Sequence, residues 1–210
     1  MSTHNPNASV YAIGLTGGIS SGKTVAGEYL CKYFKVLDAD ALVHELYDTD
    51  PILVERIAEE FGDICVERGK VDRKILGSLV FKNPQALNQL NAIVHPLVGK
   101  SLSAEISKAH SERVVTVFLI PLLFEHNWQE DLDTVLLVGC SEQTQLERIL
   151  LRDHRSIDEA RAIVAAQMPL EEKRLLCDSF LSNDADLEGF YEKLDAWVQG
   201  LLRDGLGKRV

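Results

Sequence analysis

Residues 17–24 read Gly-Gly-Ile-Ser-Ser-Gly-Lys-Thr (GGISSGKT), and this stretch decides which fold the rest of the chain is expected to adopt. It fits the Walker A pattern G-x-x-x-x-G-K-[ST] through Gly17, Gly22, Lys23 and Thr24. In this pattern the glycines let the backbone curl, so that successive N–H groups point at phosphate oxygens. The stretch therefore predicts a phosphate-binding loop.

The sequence on either side of the loop predicts the strand and the helix that a phosphate-binding loop of this kind connects. Residues 10–16 (VYAIGLT) form an apolar run typical of a buried parallel strand, and residues 24–34 carry apolar side chains at helical spacing. A helix that begins at the loop adds the positive end of its dipole. We expect Lys23 to reach the β- and γ-phosphates and the Thr24 hydroxyl to bind Mg²⁺. The alternative is a glycine-rich turn with a solvated Lys23.

Farther along the chain, predicted strands alternate with predicted helices. Apolar runs at 36–38, 114–120, 134–138 and 179–182 predict strands, and 114–120 is expected to be central because it is uncharged and β-branched. Alternation of this kind predicts an α/β fold with a parallel sheet covered by helices. Residues 52–112 read as almost entirely helical, which predicts an insertion. Ligands of such sheets bind beyond the carboxyl ends of the strands.

The composition narrows the classes of function. The chain has 32 acidic and 22 basic residues, a formal net charge of −10, which disfavours nonspecific nucleic-acid binding. No apolar run approaches the roughly 20 residues that span a bilayer, so no membrane association is expected. Residues 1–9 are polar and predict a disordered tail rather than a signal peptide. Four scattered cysteines are typical of reduced thiols in a cytoplasmic protein.

Two groups of charged residues are candidates for chemistry. Asp38 and Asp40 follow the second predicted strand, where they would serve an acceptor hydroxyl and a metal, or would only cap a helix beginning near Ala41. Arg148, Arg152 and Arg155 share one face of a predicted helix. They would clamp phosphate, or form a solvated face neutralised by neighbouring acids, for which Glu147 and Asp153 are in reach.

Two further motifs have simpler structural interpretations. His95-Pro96 is placed at a helix junction, where a lone histidine is usually structural. Ile120 to Phe124 is an apolar run, so Glu125 after it reads as a surface carboxylate.

Together these residues resemble the dephospho-CoA kinase family over roughly residues 10–200, although no motif after the loop is specific alone. The matching motifs, in chain order, are Gly14 to Ile19 leading into Gly22-Lys23-Thr24, then Asp38-Ala39-Asp40, Arg73 with Leu76 and Val80-Phe81, His95-Pro96, Pro121 to Glu125, Arg152-Asp153 and Gln167.

The resemblance implies a P-loop kinase three-layer α/β fold with a central five-stranded parallel sheet, a helical substrate-binding insertion and a lid. It implies Mg²⁺-dependent transfer of the ATP γ-phosphate to the ribose 3′-hydroxyl of dephospho-CoA, by a monomer or weak homo-oligomer. The nucleotide-binding core would comprise 10–50, 113–147 and 178–206. The CoA-substrate domain would be 51–112 and the lid region 148–177.

The resemblance also assigns site residues. The catalytic residues would be Asp40 as the base, Lys23 and Arg152, and Thr24 would bind the metal. ATP would contact Gly17, Gly18, Ile19, Ser20, Ser21, Gly22, Lys23, Thr24, Val25, Arg148 and Asn183. Dephospho-CoA would contact Asp38, His44, Arg73, His95, Pro121, Leu122 and Glu125.

Four positions depart from the family's usual pattern. Ser20 stands where a third glycine is usual and would stiffen the loop, and Val25 replaces a hydroxyl residue. Leu119 occupies a position that is often Asp, which leaves no metal carboxylate to assign there. His44 replaces a frequent Arg, so its charge near neutral pH depends on its surroundings.

Two alternative functions share these features in part. A kinase for another nucleoside or nucleotide would differ in the acceptor pocket. A non-catalytic ATP-binding module would need neither Asp40 nor the arginine group.

Overall fold

The computed structural model describes residues 10–81, 83–153 and 156–203. Two compact units make up these residues. The first takes in the described residues up to Asp38 and from Ile106 onward, and the second is Ala39–Glu105. The predicted tail 1–9, the candidate Arg155 and positions 204–206 of the predicted core lie outside the described residues.

Strands alternate with α-helices along most of the described chain, with two pairs of consecutive strands. The strands are β1 Ala12–Gly17, β2 Lys35–Asp38, β3 Val66–Glu67, β4 Lys70–Val71, β5 Thr116–Leu119, β6 Thr134–Gly139 and β7 Ser179–Ser182. The helices are α1 Lys23–Leu30, α2 Ala39–Thr49, α3 Pro51–Phe61, α4 Arg73–Val80, α5 Pro84–Glu112, α6 Glu142–Asp153, α7 Ile157–Ala165, α8 Leu170–Leu176 and α9 Leu187–Arg203. No helix in the described part of the chain has the length and apolar character needed to cross a membrane.

A five-stranded parallel sheet forms the centre of the first unit, as predicted. Its strand order is β2-β5-β1-β6-β7, and every pairing is parallel. All six residues of β1 are buried, because a strand in the middle of a covered sheet has neighbours on both edges and both faces. β5 is an interior strand between β2 and β1, in agreement with its uncharged run.

Helices α1 and α9 pack on the sheet through their apolar faces. Leu30 of α1 and Phe190, Leu194 and Val198 of α9 are fully buried against strand residues such as Leu136. Complete burial of side chains of this size contributes about 1.5–3 kcal/mol each. This packing holds the carboxyl edge of the sheet, from which the loops after β1, β5, β6 and β7 emerge.

The second unit contains a feature that the sequence did not predict. Residues 52–112 were expected to be almost all helical, but β3 and β4 form a small antiparallel hairpin. Its two-residue turn is Arg68-Gly69, with φ of 53° and 77°. Both values are positive, as a type I′ turn requires. Strands of two residues are too short to produce an alternating pattern, which explains the miss.

The helix starts of this unit are marked by capping side chains. Asp50 accepts hydrogen bonds from the N–H groups of Ile52 and Leu53 at the start of α3. Asp72 caps α4 in the same way, and Asn83 caps α5. Such caps typically contribute about 1 kcal/mol each.

The predicted helix junction at His95-Pro96 was wrong. Both residues lie inside α5, which continues from Pro84 to Glu112. Pro96 removes one N–H from the helix and so leaves the carbonyl four residues earlier without its usual donor. Burial of Val94 and Val98 on either side of the proline keeps the helix on its course despite that loss.

Candidate phosphate-binding site

Two positions in the stretch that joins β1 to α1, Gly17 at the end of the strand and Gly22 before the helix, fit only glycine. Gly22 lies immediately before α1 with φ of 97°, a left-handed conformation that L-residues rarely adopt. A side chain there would also collide with the Asn183 amide. A Cβ on Gly17 would overlap the Val138 carbonyl oxygen of the neighbouring strand. The Walker A glycines are therefore required by close approach as well as by backbone conformation.

Ser20 adopts a left-handed conformation without being glycine. Its φ is 55°, which costs an L-residue about 1–2 kcal/mol. The stiffening expected from serine at this position therefore corresponds to a strained backbone conformation. The hydroxyl oxygens of Ser20 and Ser21 are both buried without a hydrogen-bond partner among the described residues. Unpaired hydroxyls at this position suit the oxygens of a bound phosphate.

Three consecutive carbonyl oxygens of the loop are held by side chains from other segments. Gln145 Nε2 donates to the Ile19 oxygen at 2.8 Å, Arg148 Nη1 to the Ser20 oxygen at 3.1 Å, and Asn183 Nδ2 to the Ser21 oxygen at 2.8 Å. In a trans peptide the C=O and N–H groups point in opposite directions. The N–H groups of Ser20 and Gly22 therefore face away from these side chains, as a phosphate nest requires.

Arg148 is engaged in supporting the loop. Besides the Ser20 contact, its Nη2 donates to the Asn183 carbonyl oxygen at 2.9 Å. One guanidinium thus joins the phosphate loop to the segment after β7. Whether Arg148 and Asn183 also contact ATP stays a prediction.

Arg152 is paired with its own neighbour. Its Nε and Nη2 donate to the two carboxylate oxygens of Asp153 at 2.7 and 2.9 Å. This hydrogen bonding raises the pKa of Arg152, although burial acts in the opposite direction. The geometry matches the interpretation in which acids neutralise this helix face. Arg152 is 59% exposed.

Glu125 does not end the apolar run as a surface carboxylate, so that expectation was wrong. Its side chain is only 19% exposed, and its Oε1 lies 2.8 Å from Nζ of Lys173, whose side chain has no exposed surface. The same oxygen accepts the Met168 N–H at 3.1 Å. A buried ammonium needs an opposite charge, and the loop after β5 supplies it.

The predicted acceptor residues lie at helix starts and on exposed surfaces. Asp38 is the last residue of β2, and α2 begins at Ala39, two residues earlier than expected, with Asp40 in its first turn. His44 follows Asp40 by one helical turn, and both are exposed. An acid in the first turn favours the helix by about 0.3–1 kcal/mol. Asp40 thus lies inside α2 and does not cap it, and a role limited to favouring the helix from its first turn stays open beside the catalytic one.

The other predicted substrate residues are divided between the two units. In the second unit, Arg73 is the exposed first residue of α4, and His95 is half-buried within α5. In the first unit, Pro121 and Leu122 follow β5, and the Pro121 carbonyl oxygen accepts the Thr16 hydroxyl at 3.3 Å. Their contact with a substrate stays a prediction.

Thr24 and Leu119 lie at the two positions where a metal ligand was considered. Thr24 is exposed in the first turn of α1, where its hydroxyl oxygen is a suitable ligand for Mg²⁺. Leu119 is buried and lies so close to Gly27 that a Cβ there would be 2.6 Å from its Cδ2. It fills space beside α1 instead of supplying a carboxylate. Within 10–81, 83–153 and 156–203, no three His, Cys, Asp or Glu side chains gather at one point.

Comparison with known proteins decides the family. The family model for dephospho-CoA kinase matches residues 11–189. The chain belongs to the dephospho-CoA kinase family. A dephospho-CoA kinase from Acinetobacter baylyi is 38% identical over 195 residues, which cover 92% of this chain and 99% of the relative. The resemblance inferred from the motifs and the kinase activity it implied are thereby confirmed.

Solved structures agree with this family and with the fold. The dephospho-CoA kinase from Campylobacter jejuni superposes with a TM-score of 0.68 at 27% identity, covering 91% of this chain and 97% of that one. Shikimate kinase from Acinetobacter baumannii has a TM-score of 0.55 at 14% identity, covering 93% and 94%. At that identity the likeness concerns the fold alone, and it confirms the predicted P-loop kinase architecture.

Several residues that build this kinase's loop were missed by sequence reasoning. Gln145, 8% exposed, shares α6 with the predicted arginines but belongs to no recognised motif, and neither does Lys173 in α8. The one signal for Gln145 is that it shares a buried helix face with Leu146 and Ile149. A polar residue on such a face must find a partner, and here the partner is a loop carbonyl.

Proposed function

We propose that the enzyme transfers the γ-phosphate of ATP to the ribose 3′-hydroxyl of dephospho-CoA, giving coenzyme A and ADP in the last step of coenzyme A biosynthesis. The observation that carries the proposal is the phosphate loop with three carbonyls tied outward, in a chain of this family. A loop fixed in this way binds a polyphosphate without reorganising, and phosphoryl transfer depends mainly on positioning and electrostatics.

On the donor side, the loop would surround the phosphates from residue 17 to residue 25. Backbone N–H groups and the hydroxyls of Ser20 and Ser21 would donate to phosphate oxygens. Lys23 would neutralise charge on the β- and γ-phosphates. Thr24 would share Mg²⁺ with ATP, and the bound ion would reduce the negative charge that an incoming hydroxyl meets.

On the acceptor side, Asp40 would accept the proton of the 3′-hydroxyl. A carboxylate of ordinary basicity suffices, because the transition state is loose and the proton leaves late. Asp38 would help to orient the ribose. The remaining proposed contacts to dephospho-CoA are His44, Arg73, His95, Pro121 and Leu122. Glu125, also predicted there, has the internal partners described above.

The lid proposed for residues 148–177 would close once ATP is bound, before phosphoryl transfer. Arg152 would exchange Asp153 for phosphate oxygens when ATP is bound, since phosphate offers the same bidentate geometry with more charge. Closure over the phosphates would exclude water, which otherwise competes as an acceptor. We further propose a cytoplasmic enzyme that works as a monomer or weak homo-oligomer.

The direct test is a reaction with defined acceptors. Purified protein with Mg²⁺, ATP and dephospho-CoA should form coenzyme A and ADP in equal amounts, and omission of Mg²⁺ should abolish both. Other nucleosides and nucleotides, compared by kcat/KM, should be much poorer acceptors. A better acceptor in that panel would favour another nucleoside or nucleotide kinase. ATP binding with no product at high enzyme concentration would favour a non-catalytic module.

A further inference from the structure

A buried ion pair fastens the connection between α7 and α8 to the loop after β5. Glu125 Oε1 receives two contacts, the Met168 N–H at 3.1 Å and the Lys173 ammonium at 2.8 Å. Met168 lies in the connection and Lys173 in α8, so one carboxylate oxygen holds both. Glu125 is 43 positions from Met168 along the chain, so the contact joins two distant segments.

The residue next to this fastening point reaches the phosphate loop. Gln167 Oε1 accepts the Ile19 N–H at 2.9 Å. The Ile19 carbonyl is held from α6 by Gln145 at 2.8 Å. Ile19 is therefore clamped at both its N–H and its C=O by two glutamines, and the peptide planes on either side of it are fixed. These planes form the first half of the phosphate nest.

The ion pair is a poor device for stability alone. Glu125 Oε2 is buried without a hydrogen bond among the described residues, and the Lys173 ammonium is within ionic distance of Oε1 but is not aligned as a hydrogen-bond donor. Desolvation of two charges offsets most of their attraction, so a neutral pair of similar volume would stabilise the fold about as well. What a neutral pair would lose is the ionic attraction that draws α8 and its preceding connection onto the loop after β5.

We infer that Glu125 and Lys173 are a positioning pair for the phosphate donor: they hold Gln167 on the Ile19 N–H and thereby keep the phosphate loop in its binding geometry. This role rests on the proposed function in one respect, namely that the polyphosphate bound by the loop is ATP. Neither residue touches the reacting atoms, and Glu125 acts on the donor side instead of contacting the acceptor.

The test compares four variants with the parent enzyme. Lys173→Met removes the ammonium, Gln167→Leu removes the acceptor for Ile19, and a double variant carries both changes. Glu171→Gln is the matched control on α8, because it breaks an exposed ion pair with Arg174 and leaves Glu125, Gln167 and Lys173 unchanged. Each is measured for ADP binding, for KM of ATP and of dephospho-CoA, and for amide hydrogen exchange of the peptide containing Ile19.

We expect Lys173→Met and Gln167→Leu each to weaken ADP binding and raise KM for ATP about tenfold, with faster exchange at Ile19, since small misplacements of a binding group are costly. The double variant should be no worse than either single one, because both break the same connection. In all these variants KM for dephospho-CoA should change less than twofold. Every measured value for Glu171→Gln should also stay within twofold, because this substitution leaves the loop and its supporting residues unchanged.

Folded variants with parent-like ADP binding and Ile19 exchange would overturn the inference, even if their melting temperatures fell. If Lys173→Met does not fold, Glu125→Gln/Lys173→Met takes its place, since it buries no unpaired charge. The same loss of ADP affinity is then expected, and unchanged affinity contradicts the inference. ADP binding and exchange need no acceptor, so absence of coenzyme A formation would refute the proposed function and leave this result standing.

Discussion

The phosphate loop and the Asp38–Asp40 segment both follow strands of one parallel sheet, yet they are held in different ways. The loop follows β1, the middle strand, and side chains from α6, from the α7–α8 connection and from the segment after β7 bind its backbone. The Asp38–Asp40 segment follows β2, an edge strand, and passes directly into the first turn of α2. Both of its carboxylates are exposed.

The difference indicates that the donor loop and the acceptor segment have different structural requirements. A polyphosphate gains most from dipoles that are already oriented, because no free energy is then spent on arranging them. The donor loop has such an arrangement, enforced by tertiary contacts. The proposed base needs only to reach a hydroxyl, and a carboxylate at a helix start is well placed by local backbone structure. The predictions below separate these two kinds of control.

The largest effect is expected at Asp40. Asp40→Asn removes the proposed proton acceptor and preserves shape, so kcat should fall by about 10²–10⁴ while ADP binding stays within twofold. Steady-state kinetics and calorimetric titration with ADP measure the two quantities. Turnover close to that of the parent enzyme would leave Asp40 only its favourable position in the first turn of α2.

Arg148→Met tests the tertiary control of the loop. It removes charged hydrogen bonds to two backbone carbonyls, each contributing about 1.5–3 kcal/mol. ADP affinity, measured by calorimetric titration, should therefore fall roughly tenfold or more. KM for dephospho-CoA should be unaffected.

Arg152→Met is the matched control for that variant. Its guanidinium contacts Asp153 rather than the loop, so it should lower kcat and leave ADP affinity unchanged. Equal losses of ADP affinity in both variants would remove the distinction between a supporting and a closing arginine.

Ser20→Gly tests whether the loop stores backbone strain. Glycine adopts the φ of 55° without strain, but it also gives the unfolded chain more conformational freedom, which opposes folding. Relief of strain should outweigh that entropy, and a net stabilisation of about 0.5 kcal/mol is expected. Urea denaturation measures it. Ser21→Gly is the control, because Ser21 has no positive φ to relieve and should be destabilised instead. A loss of stability for Ser20→Gly would show that the serine is not strained.

The smallest effect is expected at the opposite end of β1. There Asp133 accepts the N–H groups of Tyr11 and Ala12 and contacts His110 Nε2 at 2.9 Å. Burial lowers the pKa of His110, but hydrogen bonds to Asp133 and the Ile106 carbonyl outweigh it and leave the pKa raised above 6.5. The stabilisation is therefore complete below that value and is lost as pH rises through the folded-state pKa.

His110→Gln should accordingly be destabilised relative to the parent enzyme at about pH 6 and differ little from it at about pH 8. Chemical denaturation at each pH measures the difference. ADP affinity should be unchanged, since this cluster lies at the amino end of the sheet. If the difference in unfolding free energy between the two proteins grew with pH, protonated His110 would not be the stabilising form.

The sequence by itself determined the phosphate loop, the alternating strands and helices, the parallel sheet and the family. These features depend on short-range patterns: glycine spacing, apolar runs and capping residues act within a few positions of the chain. Two of its failures arose where a local pattern was absent or misleading. The β3–β4 hairpin was too short to show a period, and Pro96 suggested a break in α5 that the burial of neighbouring valines overrides.

Only the tertiary structure decided which side chains hold the loop. Gln145, Gln167 and Asn183 reach Ile19 and Ser21 from positions more than 120 residues away. Burial of Lys173 turned Glu125 from an expected surface acid into an internal partner. The reason is physical: a buried polar atom must find a partner, and chain folding, not sequence distance, determines which one is in reach.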